Sequence, residues 1–161
     1  MYACWAAANI ATVSSPLEQG EALMEAGFVP MLVKVISNSE EEARAQSNAT
    51  WALAGLADNW GQFNSERRRT LLEADCVEGL LSALALKDPE VVAVSMKGLL
   101  VFVETWGPVK QNAIERIEAA GGVAALRALK LRPEADLAHE RRMAHLILKK
   151  YLKQFSLPPR V

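Results

Sequence analysis

The sequence predicts an all-α fold: a right-handed superhelical solenoid of about three and a half stacked three-helix repeats. Three observations predict it. The segments EAGFVPMLVKVI from Glu25, EADCVEGLLSAL from Glu73 and AAGGVAALRAL from Ala119 are alike, and their starts are 48 and 46 residues apart. A second pair of segments, ACWAAANIA and ATWALAGLA, sets Trp5 and Trp51 46 residues apart, so two independent landmarks share one period. No stretch alternates apolar and polar residues as a strand would.

Each unit divides in the same way. A short helix (PLEQGEALMEAG, SERRRTLLEAD, VKQNAIERIEAAG) ends at a turn expected at Gly27, at Asp75 and at Gly121–Gly122. A second helix follows (VPMLVKVIS, VEGLLSALAL, VAALRALKL), with Pro30 in its first turn, where a missing N–H costs nothing. Polar links NSEEE, KDPE and RPEAD lead to a longer third helix. There Pro89 and Pro133 fall near the first turn, and Glu90, Glu134 and Asp136 suit its positive end. A helical period in the forties is the mark of armadillo and HEAT arrays, and three helices per unit favour armadillo.

One domain is expected over 1–161: the third helix of a partial repeat at 1–14, repeats at about 15–59, 60–107 and 108–155, and a tail at 156–161. A stacked repeat buries its face on a neighbour, and end repeats carry polar outer faces. The C-terminal helix, with Glu140, Arg141, Arg142, Lys149, Lys150 and Lys153, can cap one end. The alanine-rich N-terminal helix cannot, so upstream repeats or another chain are expected to cover it.

Composition excludes several function classes. The net charge is −1, against the basic field that nucleic-acid binding requires. No apolar run approaches the ~18 residues that span a bilayer, so neither nucleic acid nor membrane is an expected partner. Cys4 and Cys76 read as buried free thiols, with a disulfide as the alternative. His139 and His145 lack the spacing and partners of a metal site. No cofactor motif and no nucleophile–base pair is present, so neither a cofactor nor an enzyme is expected. Arg67, Arg68 and Arg69 read as a solvated helix face, with an acidic-partner patch as the alternative. Trp60 and Trp106 read as loop anchors.

At ~100° per residue, Ala45, Ala49, Ala52, Leu53 and Leu56 form one stripe of their helix, the expected core face. Trp51 falls nearly opposite, with Arg44, Asn48 and Gly55 on its side. In the earlier helix Ala3, Ala6, Ala7 and Ile10 are expected to face the core, and Trp5 and Asn9 to face away. Two readings stand: the indoles fill the seam between repeats, or they form a ladder on the inner, concave surface lined by third helices. A ladder would suit an extended peptide. An Asn carboxamide can bond both backbone N–H and C=O, and indole walls can hold Lys or Arg stems. One repeat step of ~10 Å matches about three residues of extended chain.

The W-x-x-x-N pattern of ACWAAANIA, the AGFVPMLVKVIS start and the IEAAGG…LILKKYLKQF ending resemble the C-terminal repeats of the importin-alpha family. The resemblance implies a module of a nuclear import adaptor, working in cytoplasm and nucleus. It would bind extended basic peptides through Trp5, Asn9 and Trp51 in the family's minor peptide site. Departures are plain: Gly55 replaces the second Asn, and Tyr2 and Asn48 replace acidic residues. In the next third helix Lys97 stands at the Trp position and Val101 at the Asn position. Lys97 would repel a basic ligand and end the ladder after Trp51. With Val94 and Val101 on its side, that part of the face could serve a different partner. The resemblance also makes the C-terminal helix a candidate surface for a transport receptor. The rivals are a divergent armadillo scaffold that bridges protein partners without reading localisation signals, which Gly55, Asn48 and Lys97 favour, and a structural piece of a larger complex. An acidic, Trp-lined groove would support the adaptor; a neutral or apolar one would support the scaffold.

Overall fold

A computed structural model describes residues 2–12, 16–60 and 64–152. Its helices are α1 (Tyr2–Thr12), α2 (Pro16–Glu25), α3 (Phe28–Ser37), α4 (Ala43–Gly55), α5 (Ser65–Glu73), α6 (Cys76–Ala83), α7 (Pro89–Val103), α8 (Pro108–Ala119), α9 (Gly122–Leu131) and α10 (Ala138–Lys150). A π-helical turn, Leu56–Trp60, extends α4, and a 3₁₀ turn, Ala135–Leu137, precedes α10.

The helices stack in rows. Third helices pack side by side as α1, α4, α7 and α10, and second helices as α3, α6 and α9. First helices α5 and α8 also touch. Each helix therefore meets its counterpart one repeat away, as a solenoid requires. No described helix is long and apolar enough to cross a membrane.

The turn between first and second helices is the most regular feature. Gly27, Asp75 and Gly121, the three aligned positions, all adopt the left-handed conformation, with φ of 69°, 62° and 76°. Glycine occupies that region freely, and Asp is among the few side-chain residues that tolerate it. Asp75 is the one non-glycine with positive φ among the described residues. Gly122 is needed for space: a Cβ there would lie 2.6 Å from the Ile117 carbonyl oxygen.

Local signals start the longer helices. The Asp88 side chain accepts from the Glu90 N–H at 2.9 Å, with Pro89 in the first turn of α7. Asn64 caps α5 by accepting from the Arg67 N–H at 3.1 Å. Pro133 does not begin α10, contrary to the sequence expectation: the helix starts at Ala138, after the 3₁₀ turn. Glu134 serves Arg132 instead, accepting from its guanidinium at 2.8 Å. That bond holds the Glu134 carboxyl below its ordinary pKa.

One continuous core runs through the stack, with Leu32, Leu53, Leu80, Met96, Phe102 and Leu126 fully buried. Cys4 and Cys76 are buried free thiols, as the sequence suggested. Burial pushes both thiols up, Cys76 far above the ordinary range. Register in α1 differs from expectation. Cys4, Ala7 and Ala8 are buried, whereas Ala3 and Ala6 are exposed. A helix built largely of alanine gives almost no amphipathic contrast, so packing against α4 sets the face. The side chains of Tyr2, Ile10 and Trp60 lie outside the described ones, and so do the expectations placed on them.

Candidate functional site

The stripe Ala45, Ala49, Ala52, Leu53 and Leu56 is buried, none of it more than 3% exposed. Because that stripe anchors α4, Trp51 stands on the opposite side and is 38% exposed. Trp5, its counterpart on α1, is 54% exposed. α1 and α4 pack directly against each other, so two exposed indoles project from adjacent third helices. Neither indole is buried in the core.

Polar groups border them. Asn9 and Arg44 are exposed. Asn48 is half-buried, and its Nδ2 is enclosed with no hydrogen-bond partner among the described residues. An enclosed amide donor without a partner costs about 1–3 kcal/mol, a local cost of the fold at the base of this face.

Gly55 does not share this surface. It is buried, against the sequence expectation. α7 crosses α4 closely here: a Cβ on Gly98 would lie 3.4 Å from the Ala54 Cα and 2.9 Å from Leu80 Cδ1. Helix periodicity within α4 carries no information about where its neighbour crosses.

Lys97 is exposed on α7, but its charge is not free. Nζ lies 2.5 Å from Asp58 Oδ2, in the π-helical turn of the preceding repeat. The pair neutralises both the cation that would repel a basic ligand and a carboxylate that would attract one. Arg44, exposed on the same helix as Trp51, adds a positive charge. Val94 and Val101 are half-buried, and Val94 packs on the core.

Other expectations are corrected. Trp106 is 90% exposed and anchors no loop. It borders a cavity of about 670 Å³ with Arg68, Arg69, Thr105 and Pro108. The Arg67–Arg69 run is not a uniformly solvated face. Arg69 is exposed and lies 3.5 Å from Glu66, but Arg67 reaches Glu21 at 3.7 Å. Arg68 donates to the Thr105 hydroxyl, and burial lowers its pKa. Arg67 thus ties one repeat to another, and Arg68 ties the first helix of its repeat to the end of the third. His139 and His145 are exposed, and the described residues contain no cluster of His, Cys, Asp or Glu able to hold a metal.

Sequence reasoning missed the long-range ties at the second joint. Arg116 on α8 pairs with Asp75 and, at 2.8 Å, with Glu78. Arg132 reaches back to the end of α6, donating to the carbonyls of Leu84 and Leu86 at 3.1 and 2.7 Å. Arg141 then donates to the carbonyls of Arg132 and Glu134 at 2.7 and 2.8 Å. The position of Arg132 just past a helix end was visible, but its target 46 residues earlier was not.

Residues 18–58 match the Armadillo/beta-catenin-like repeat. The sequence matches no curated protein. Among solved structures it is similar to an engineered protein at 29% identity, covering 89% of this chain and 53% of that one with a TM-score of 0.67. It is similar to a designed armadillo repeat protein at 27% identity, covering 88% and 55% with a TM-score of 0.64. A computationally designed armadillo repeat protein for modular peptide recognition matches at 24% identity, covering 89% and 55% with a TM-score of 0.67. The chain thus spans about half the length of the structures it matches. The fold is an armadillo-repeat solenoid.

Proposed function

We propose that this chain is a protein-binding module that holds an extended polypeptide segment on the concave face formed by α1, α4 and α7. One observation carries the reading: Trp5 and Trp51, one repeat apart, stand exposed on packed neighbouring helices, with Asn9 exposed on α1. Indoles supply wide, rigid contact area, and an exposed carboxamide can bond a peptide backbone. Modular peptide recognition was the purpose of one of the designs above; here it remains a use that the fold allows.

The charge pattern refines the ligand. An import adaptor reading basic localisation peptides, working in cytoplasm and nucleus, is the reading that the importin-alpha resemblance favours. The Lys97–Asp58 pair and Arg44 favour the scaffold reading instead, with an amphipathic rather than strongly basic segment. In either case the exposed Ala3–Ala6 flank of α1 supports a further repeat or another chain packing there. Exposed Leu131 and Leu146, near Lys130 and Arg142, support a protein partner at α9 and α10, a transport receptor on the adaptor reading.

Calorimetric titration separates these readings. The probes are a Lys/Arg-rich peptide and an uncharged peptide of equal length, each against the native protein and Trp51→Ala. Micromolar binding of the basic peptide, weakened about tenfold or more by Trp51→Ala, supports the adaptor. Trp51-dependent binding of the uncharged peptide alone supports the scaffold. Binding of either peptide with equal affinity to both proteins would remove Trp51 from the site and overturn the proposal.

A further inference from the structure

The ends of α3 and α6, and the links that follow them, enclose an open cavity of about 950 Å³ that includes neither Trp51 nor Lys97. Ile36, Ala85, Leu86 and Val91 give it apolar walls. Glu41 and Asp88 bring carboxylates, set against the single cation Lys87. The Ser37 hydroxyl donates to that of Ser82 at 3.3 Å, joining the two repeats across it. Helix C-termini carry partial negative charge, which adds to the two carboxylates.

The next joint shows what fits such a place. Aligning Gly121 with Asp75 sets Arg132 in register with Leu86. Aligning Asp75 with Gly27 sets Leu84, Leu86 and Lys87 in register with Ile36, Asn38 and Ser39. At the second joint Arg132 lies across the end of α6, bonded to the carbonyls of Leu84, Leu86 and Lys87, with Glu134 as its carboxylate. At the first joint Leu86 holds that register and carries no guanidinium; the cavity lies there. On its wall Gln46 Nε2 donates to the carbonyls of Ile36 and Asn38 at 3.1 and 2.9 Å. The Asn38 oxygen also accepts from the Glu41 N–H at 3.2 Å, which fills both its lone pairs, whereas the Ile36 oxygen keeps a second one.

We propose that this cavity receives an arginine side chain from a partner protein, in the place that the third repeat's own arginine takes at the next joint. The apolar walls suit the aliphatic stem, and the Ile36 carbonyl with the Glu41 and Asp88 carboxylates suits the planar fork of donors and balances its charge. Lysine, a compact point charge with fewer donors, matches the seat less well. This site is separate from the Trp-lined face, so it stands or falls independently of the peptide reading above.

Backbone amide NMR tests it with two probes, capped Gly-Gly-Arg-Gly-Gly and its Lys counterpart. The arginine peptide should shift the amides of residues 37–43 and 82–88 and bind at least threefold more tightly than the lysine peptide. Leu86→Arg fills the cavity from within and should abolish those shifts, whereas Trp51→Ala should leave them unchanged. If Leu86→Arg does not fold, Glu41→Gln with Asp88→Asn takes its place, since Asn still caps α7. That double variant should weaken arginine binding at least threefold in low salt. No shifts at these residues, equal binding of both peptides, or binding untouched by the variants would overturn the proposal.

Discussion

The two joints between full repeats solve one packing problem in different ways. The first, α3 on α6 and α4 on α7, is a close apolar contact. A Cβ on Gly79 would meet Leu53 Cδ2 at 2.7 Å, and one on Gly98 would meet the Ala54 Cα at 3.4 Å. Both joints carry ion pairs, Lys97–Asp58 and Arg67–Glu21 at the first and Arg116 with Asp75 and Glu78 at the second, but the second adds Arg132, bonded to the carbonyls at the end of α6. Where backbones approach closely, specificity comes from an absent side chain. Where they stand further apart, it comes from donors that satisfy helix-end carbonyls. With Leu86 in the register that Arg132 holds at the second joint, the first joint keeps an open cavity at its edge.

The largest effect should come from breaking what both joints share. Phe102 is fully buried in α7, and Phe102→Ala should lower the unfolding free energy by about 3–5 kcal/mol in urea. Next comes Arg132→Ala, which strips charge-assisted bonds from three carbonyls. It should cost about 2–3 kcal/mol, with little dependence on salt because the guanidinium is largely covered. The same tie has a pH signature. Arg132 holds the Glu134 carboxyl below its ordinary pKa. Its contribution is therefore present above the ordinary glutamate value and lost as pH falls through the lowered one. Acid denaturation curves of the native protein and Glu134→Gln should converge at low pH.

The first joint should respond to added volume instead. Gly98→Val drives a branched side chain into Leu80 and Ala54 and should cost about 1–3 kcal/mol, while leaving the Arg132 tie intact. The smallest effect distinguishes strain from pairing at Asp75. Asp75→Ala keeps a side chain at positive φ and loses Arg116, for a loss of about 1 kcal/mol. Asp75→Gly loses the pair but relieves the backbone, so its stability should lie within about 0.5 kcal/mol of native.

Much of this was legible in the sequence. The alignment of Gly27, Asp75 and Gly121 anticipated three equivalent turns; the structure adds that all three are left-handed, a conformation few residue types accept. Trp51 was placed opposite the core because Ala45, Ala49, Ala52 and Leu53 define a side within one helix. What failed depended on neighbours. Gly55 is buried although it shares a helical side with Trp51, and α1 took its register from α4. Trp106 follows α7 into solvent instead of anchoring a loop. Asp58 and Lys97 meet across 39 residues, a separation no local pattern encodes. The site's apolar half could therefore be read from periodicity, and its charge balance could not.

The central claim is that the Trp5–Trp51 face holds the ligand. Indole ¹⁵N–¹H spectra test it most directly, because each tryptophan gives its own signal and substitution assigns it. On titration with whichever extended peptide binds, the Trp5 and Trp51 signals should move together along one saturation curve while Trp106 stays in place. Saturable binding that leaves Trp5 and Trp51 unmoved, or that shifts Trp106 alone, would contradict the account.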